Sequence, residues 1–180
     1  AVLLVENQSV KQNCFSVGMP DERFIRGAAP MTKSEVRAVI LSKMAPQDGD
    51  VIWDVGAGTG SVSVELALTA PHAAVFGVEC EESALELAKQ NRALHGAGNL
   101  ALVYGHAPEA LETLPAPDRV FIGGSGKELE QIIAAAVRKN PQVHLVLSAV
   151  TLETPAEALA YLEKYGFSGP EVVQIAVSRA

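Results

Sequence analysis

The sequence predicts an α/β fold with a mostly parallel, doubly wound sheet, and three observations carry that expectation. Short apolar, β-branched runs alternate with stretches of helical period along most of the chain, as strands do when crossover helices join them and cover both faces of the sheet. One such handover, Val51-Ile-Trp-Asp-Val-Gly-Ala-Gly-Thr-Gly-Ser61, passes from strand to helix through a loop with three glycines. A second glycine cluster, Gly123-Gly-Ser-Gly126, follows a later apolar run, on the carboxyl rim where such sheets bind ligands.

The bulk properties narrow the function classes. A chain of 180 residues that is 48% apolar suits one globular domain with a substantial core. A net charge of −7 and a pI near 5.1 argue against a broad phosphate-backbone footprint, so no nucleic-acid partner is expected. Cys14 and Cys80 lack Cys-x-x-Cys spacing and the four histidines are scattered, which suggests neither a disulfide framework nor a metal site. Ala1 to Val5 is too short for a signal-peptide core and no apolar run reaches the length of a membrane span. The expected compartment is therefore the cytoplasm, with no membrane partner.

Taken in order, residues 1–17 read as a leader or inter-domain linker, and the domain proper as 18–180. A helix is expected from about Lys33 to Met44, started by a capping box in which Thr32 and Glu35 each close an unpaired amide. Lys33 and Arg37 stand four apart on one helical face, either binding carboxylates together or forming a solvated surface pair. Pro46 and Gly49 end that helix, and Val51 to Val55 forms the central strand. Gly56, Gly58 and Gly60 let a ligand lie against bare amides near the next helix N-terminus, and that helix runs to about Ala70.

The second strand, Ala74 to Glu79, ends in an acid, where nucleotide-binding sheets hold ribose hydroxyls; an ordinary charged loop residue is the alternative. A helix from about Glu82 to Leu94 closes at Gly96 and Gly98, and a third strand runs Leu100 to Tyr104. Gly105 to Leu111 opens another turn and helix, in which His106 is a polar loop residue with no proton-transfer role assigned. A fourth strand, Arg119 to Ile122, leads through the second glycine cluster into a helix ending near Arg138. A fifth, Val143 to Leu147, is followed by Ser148 and a second capping box at Thr154, Pro155 and Glu157. That helix ends near Tyr165 with Gly166 as its stop, and Glu171 to Ser178 reads as a last strand.

Spacing within the first glycine loop separates two nucleotide classes. A dinucleotide fingerprint needs Gly-x-Gly-x-x-Gly, with its third glycine where this chain has Ser61. Asp54 followed by Gly-x-Gly-x-Gly instead resembles the first motif of Rossmann-like class I S-adenosylmethionine-dependent methyltransferases. Longer stretches are more selective: Gly18 to Phe24, Pro30-Met-Thr-Lys-Ser-Glu-Val-Arg37, Trp53 to Gly60, Gly105-His-Ala-Pro-Glu-Ala-Leu111, Asp118-Arg-Val-Phe-Ile-Gly-Gly-Ser-Gly126 and Ala149-Val-Thr-Leu-Glu-Thr154. Together they resemble the decarboxylating precorrin-6Y methyltransferase family of cobalamin biosynthesis, in its decarboxylase and carbon-15 methyltransferase module.

The resemblance implies S-adenosylmethionine as cofactor, contacted by Thr32, the loop Gly56, Ala57, Gly58, Thr59 and Gly60, and by Glu79 and Ala107. It implies a tetrapyrrole (precorrin) cleft lined by Met31, Gly123, Gly124, Ser125, Gly126 and Ser148, and Arg26, Lys33 and Arg37 are the candidates for the substrate's carboxylates. It also implies a homo-oligomer, tetrameric in the family, and in some relatives a fusion behind a second precorrin methyltransferase domain. His106 stands where an acid is frequent, leaving the adenine contact to the Ala107 amide. The fold normally continues past Arg179 into a loop and an antiparallel strand, so either that end is absent here or this member is shortened, with part of the substrate site lost.

The expected chemistry is in-line attack of an electron-rich ring carbon on a sulfonium methyl, with alignment and water exclusion as the protein's task. No Ser/His/Asp or Cys/His set is required, and no catalytic residue is assigned. The rival readings are a class I methyltransferase acting on RNA or protein, a nicotinamide-dependent oxidoreductase, and a non-catalytic module that binds the cofactor structurally.

Overall fold

A computed structural model describes residues 17–150 and 153–178. Its centre is a five-stranded parallel sheet in the order β3-β2-β1-β4-β5. The strands are β1 (Val51–Val55), β2 (Ala74–Glu79), β3 (Leu100–Tyr104), β4 (Arg119–Ile122) and β5 (His144–Leu147). Five helices among the described residues accompany them: α1 (Ser34–Met44), α2 (Ser61–Thr69), α3 (Glu82–His95), α4 (Leu129–Lys139) and α5 (Glu153–Lys164). Residues Asp21–Arg23 and Glu109–Leu111 form single 3-10 turns, so the helix expected after Gly105 is one turn only.

The pleat divides the core in two. On β1, Ile52 joins the apolar layer under α1 and α2, with Val75 and Phe121 from the neighbouring strands. Trp53 and Val55 point the other way, into the layer that α4 and α5 cover with Ile132, Ile133 and Ala158. Each fully buried aliphatic or aromatic side chain of this kind contributes roughly 1.5–3 kcal/mol. The sheet is therefore closed on both faces, and its open end is the carboxyl rim.

Strand order reverses between β2-β1 and β4, which makes β1 and β4 the topological switch point. Their register pairs Val55 with Ile122, so the two glycine loops leave the sheet side by side. Gly123 donates its amide to the Val55 carbonyl at 2.9 Å.

The structure departs from the sequence expectations at three places. Glu171 to Ser178 has no strand partner among the described residues and is exposed, Val172 at 66% and Ile175 at 39%. Its β-branched alternation satisfies the local preference for a strand, but a strand exists only where a neighbour completes its ladder. The α1 N-terminus carries no cap bond from its N-cap residue, Lys33; the Ser34 amide instead donates to Asp21 Oδ1 at 2.9 Å, thirteen residues upstream. Thr154 lies one residue inside α5 rather than before it. No described helix is long and apolar enough to cross a membrane. The leader expected at 1–17 falls, apart from Val17, outside the described residues.

Candidate functional site

The glycine loop at the tip of β1 is held from below. Gly56 and Ala57 donate their amides to the Val78 carbonyl, both at 3.0 Å, and the Gly60 amide closes on Ala57 O at 2.8 Å. The amides expected to be bare are thus largely engaged within the protein. Gly58 is the exception in kind: its amide donates to Glu79 Oε2 at 2.7 Å. The other carboxylate oxygen, Oε1, accepts the Cys80 and Glu81 amides, each at 2.9 Å. Three N–H groups therefore fix the Glu79 carboxylate at the tip of β2, facing the loop, with 8% of the residue exposed.

The three glycines serve different neighbours. A Cβ on Gly56 would fall 2.6 Å from the Gly124 carbonyl oxygen, backbone that cannot yield, so the two glycine loops pack main chain to main chain. A Cβ on Gly60 would meet Ala88 of α3 at 2.9 Å. Gly58 faces the segment before α1, where the nearest atom to a built Cβ is the Pro30 carbonyl oxygen at 3.3 Å. The segment before α1 thus crosses the loop as a strap.

Behind the loop lies Asp54, 1% exposed. Its Oδ2 accepts the Ser63 hydroxyl, while Oδ1 has no hydrogen-bond partner among the described residues. Burial pushes this carboxyl up to about 6, against the Ser63 hydrogen bond that lowers it, and the charge of Glu79 adds to the rise. Around the same rim, the Gly105 amide donates to the Glu79 carbonyl at 3.0 Å, placing half-buried Ala107 and exposed His106 beside the acid. The Ser148 amide donates to Ile122 O at 3.1 Å, which sets Ser148 next to the second glycine loop. In that loop Gly123, Gly124 and Gly126 are exposed and Ser125 is half-buried.

A family description, precorrin methyltransferase domain, matches residues 22–180. The chain belongs to this family. The precorrin methyltransferase domain is 47% identical over 165 residues to the probable cobalt-precorrin-6B C(15)-methyltransferase (decarboxylating) of Pyrobaculum calidifontis, covering 90% of this chain and 84% of that protein. Among solved structures it is similar to the precorrin-6Y C5,15-methyltransferase of Geobacter metallireducens, at 44% identity and a TM-score of 0.80, over 83% of this chain and 81% of that one. The precorrin 8W decarboxylase of Methanobacterium thermoautotrophicum follows at 36% identity and a TM-score of 0.77, over 83% and 82% of the two chains.

Within the precorrin methyltransferase domain, the expected cofactor residues Gly56 to Gly60, Glu79 and Ala107 converge on the rim at the ends of β1, β2 and β3. Thr59 is in the loop but buried, its hydroxyl without a partner among the described residues. Met31 and Thr32 are half-buried in the strap, and Lys33 keeps a side chain 56% exposed, 3.7 Å from Asp21 Oδ2.

Arg37, expected among the substrate-binding residues, lies in the interior instead. It is fully enclosed, donating from Nε to Glu65 at 2.7 Å and from Nη1 to Asp21 at 3.0 Å. It also donates to the Thr32 and Met19 carbonyls and stacks over Phe24 at 4.7 Å. A guanidinium that is wholly buried and donates four of its five N–H groups inside the protein is out of reach of a substrate carboxylate. The helical spacing signalled a carboxylate-binding arginine, but the carboxylates belong to the chain itself.

Two buried polar residues were not apparent from the sequence: Glu65, which accepts the Gly18 and Met19 amides at 2.7 and 3.1 Å, and Asn91 of α3. An acid and an amide at the otherwise apolar buried face of a helix are the only trace such residues leave.

Proposed function

We propose that this chain methylates carbon 15 of a cobalt-precorrin-6B-type macrocycle from S-adenosylmethionine and decarboxylates its acetate side chain, a step of cobalamin biosynthesis. The single observation that supports the reading is the Glu79 carboxylate, locked by three main-chain amides and turned onto Gly58 at the switch point of the sheet. That acid is fixed before any ligand arrives, which lowers the ordering cost of gripping a ribose diol.

The residues fit the cofactor. Glu79 would take the ribose, Gly58 the close approach that a Cβ near Pro30 O would obstruct, and the Ala107 amide the base. Gly56, Ala57, Thr59 and Gly60 shape the loop from beneath, and Thr32 with Met31 borders it from the strap. When bound, S-adenosylmethionine supplies an electrophilic methyl whose transfer leaves a neutral thioether. The chain's own work is alignment, for which well-held reactants gain on the order of 7–11 kcal/mol.

Gly123, Gly124, Ser125, Gly126 and Ser148 form the adjoining rim for a broad flat substrate. Exposed Lys33 and Arg26 meet its carboxylates. When carbon dioxide leaves, the electron pair of the broken C–C bond passes into the conjugated ring, so no protein electron sink is needed. The reading includes a homo-oligomer, tetrameric by family resemblance, acting in the cytoplasm.

Titration calorimetry with S-adenosylmethionine and with NAD, followed by transfer of labelled methyl to cobalt-precorrin-6B with release of carbon dioxide, tests this. Binding of the methyl donor alone and one labelled methyl per carbon dioxide are expected. Binding of NAD alone, or transfer without a tetrapyrrole, overturns the assignment.

A further inference from the structure

Asn91 is enclosed completely in α3, one turn beyond Ala88. A buried amide is tolerated only when its groups are bonded, and its partners here lie on two separate pieces of chain. Oδ1 accepts the Ile25 amide at 2.7 Å and Nδ2 donates to the Ile25 carbonyl at 2.9 Å, as a neighbouring strand would. The same Nδ2 donates to the Thr59 carbonyl at 2.9 Å. One side chain therefore ties the start of the strap to the glycine loop.

The surrounding contacts repeat that connection. Ala88 abuts Gly60, and Leu87 approaches within 3.0 Å of where a Cβ on Gly27 would lie. The far end of the strap is anchored independently, by Asp21 on the Ser34 amide and Arg37 on the Thr32 carbonyl. Between the two anchors, Pro30 hangs its carbonyl over Gly58.

We propose that Asn91 is a positioning residue that sets the spacing between strap and glycine loop, and hence the height of the cleft at Gly58, without itself touching the cofactor. The inference rests on the reading of that cleft as the methyl-donor site. Asn99 offers a matched control: its Nδ2 donates to the Ala67, Ala70 and Ala73 carbonyls at 3.0–3.1 Å, around the far end of α2.

The test measures the Kd of S-adenosylhomocysteine by calorimetry for wild type, Asn91→Leu and Asn99→Leu, well below each melting temperature. Asn91→Leu, which removes all three of its hydrogen bonds, should weaken binding about tenfold, while Asn99→Leu should leave it within about twofold at a similar loss of Tm. Equal Kd values for all three, or weakening that tracks Tm in both variants, overturn the proposal. Should Asn91→Leu fail to fold, hydrogen exchange on the wild type decides: added S-adenosylhomocysteine should slow the Ile25 and Gly60 amides together, and an unchanged Ile25 overturns the coupling. Wild type that binds no S-adenosylhomocysteine fails the underlying functional reading, a result distinct from any difference among the variants.

Discussion

At the scale of single residues, Asp54 carries a cost that depends on pH. Its carboxyl titrates near 6 in the fold against 3.8 for the free group, because burial penalises the anion more than Ser63 relieves it. For an acid raised in this way, both states are protonated below about 4. Between about 4 and 6 the unfolded chain loses its proton while the folded one keeps it, so stability falls as pH rises through that window, and the full cost persists above it. The shift corresponds to about 3 kcal/mol. An Asp54→Asn variant keeps the shape and removes the titration. Urea unfolding of both proteins at pH 4.5 and 7 should show the variant gaining on wild type by about 2 kcal/mol over that interval; parallel pH profiles would mean that Asp54 stays ionised in the fold.

Whole elements differ in how much of their making is local. The strands β1 to β4 were legible residue by residue, since a short apolar, β-branched run bounded by glycine or an acid is the imprint of a strand in a parallel sheet, even at the half-exposed edge strand β3. The glycine loop and Glu79 were legible for the same reason: a strand, a turn and an acid follow one another in the chain. What stayed hidden depends on residues far apart in sequence. Glu171 to Ser178 has the composition of a strand but no ladder partner among the described residues, and Arg37 looked like a surface cation until Asp21 and Glu65 closed around it. The start of α1 shows the difference most sharply, because Thr32 and Glu35 spell a capping box whereas Asp21 supplies the bond to Ser34. Asp21→Ala should therefore cost about 2–4 kcal/mol, since it removes a cap and one charged hydrogen bond of the buried Arg37, whose charge Glu65 still balances. Thr32→Ala should cost under about 0.5 kcal/mol. Chemical denaturation of the two variants distinguishes them, and a larger loss for Thr32→Ala would restore the local cap.

For the molecule as a whole, charge sets a conflict between approach and grip. The chain carries −7, and a precorrin bears several carboxylates, so the long-range field repels the substrate that the proposed site receives. Close to the cleft the balance differs: Arg26 is exposed and Lys33 projects beside Asp21, whose carboxylate Arg37 already shares. Salt separates the two ranges, because the screening length shrinks from about 30 Å at 0.01 M to about 8 Å at 0.15 M. Screening of that order removes the repulsion of distant acids and leaves contacts at the strap less affected. The association rate of cobalt-precorrin-6B, followed by its absorbance in stopped flow, should therefore rise with ionic strength over that range, roughly two- to threefold. Lys33→Glu should lower the rate at low salt and make its rise steeper. A rate that falls as salt is added would mean that the few cations at the strap already dominate the field at a distance, and the acidic body would then play no part in substrate capture.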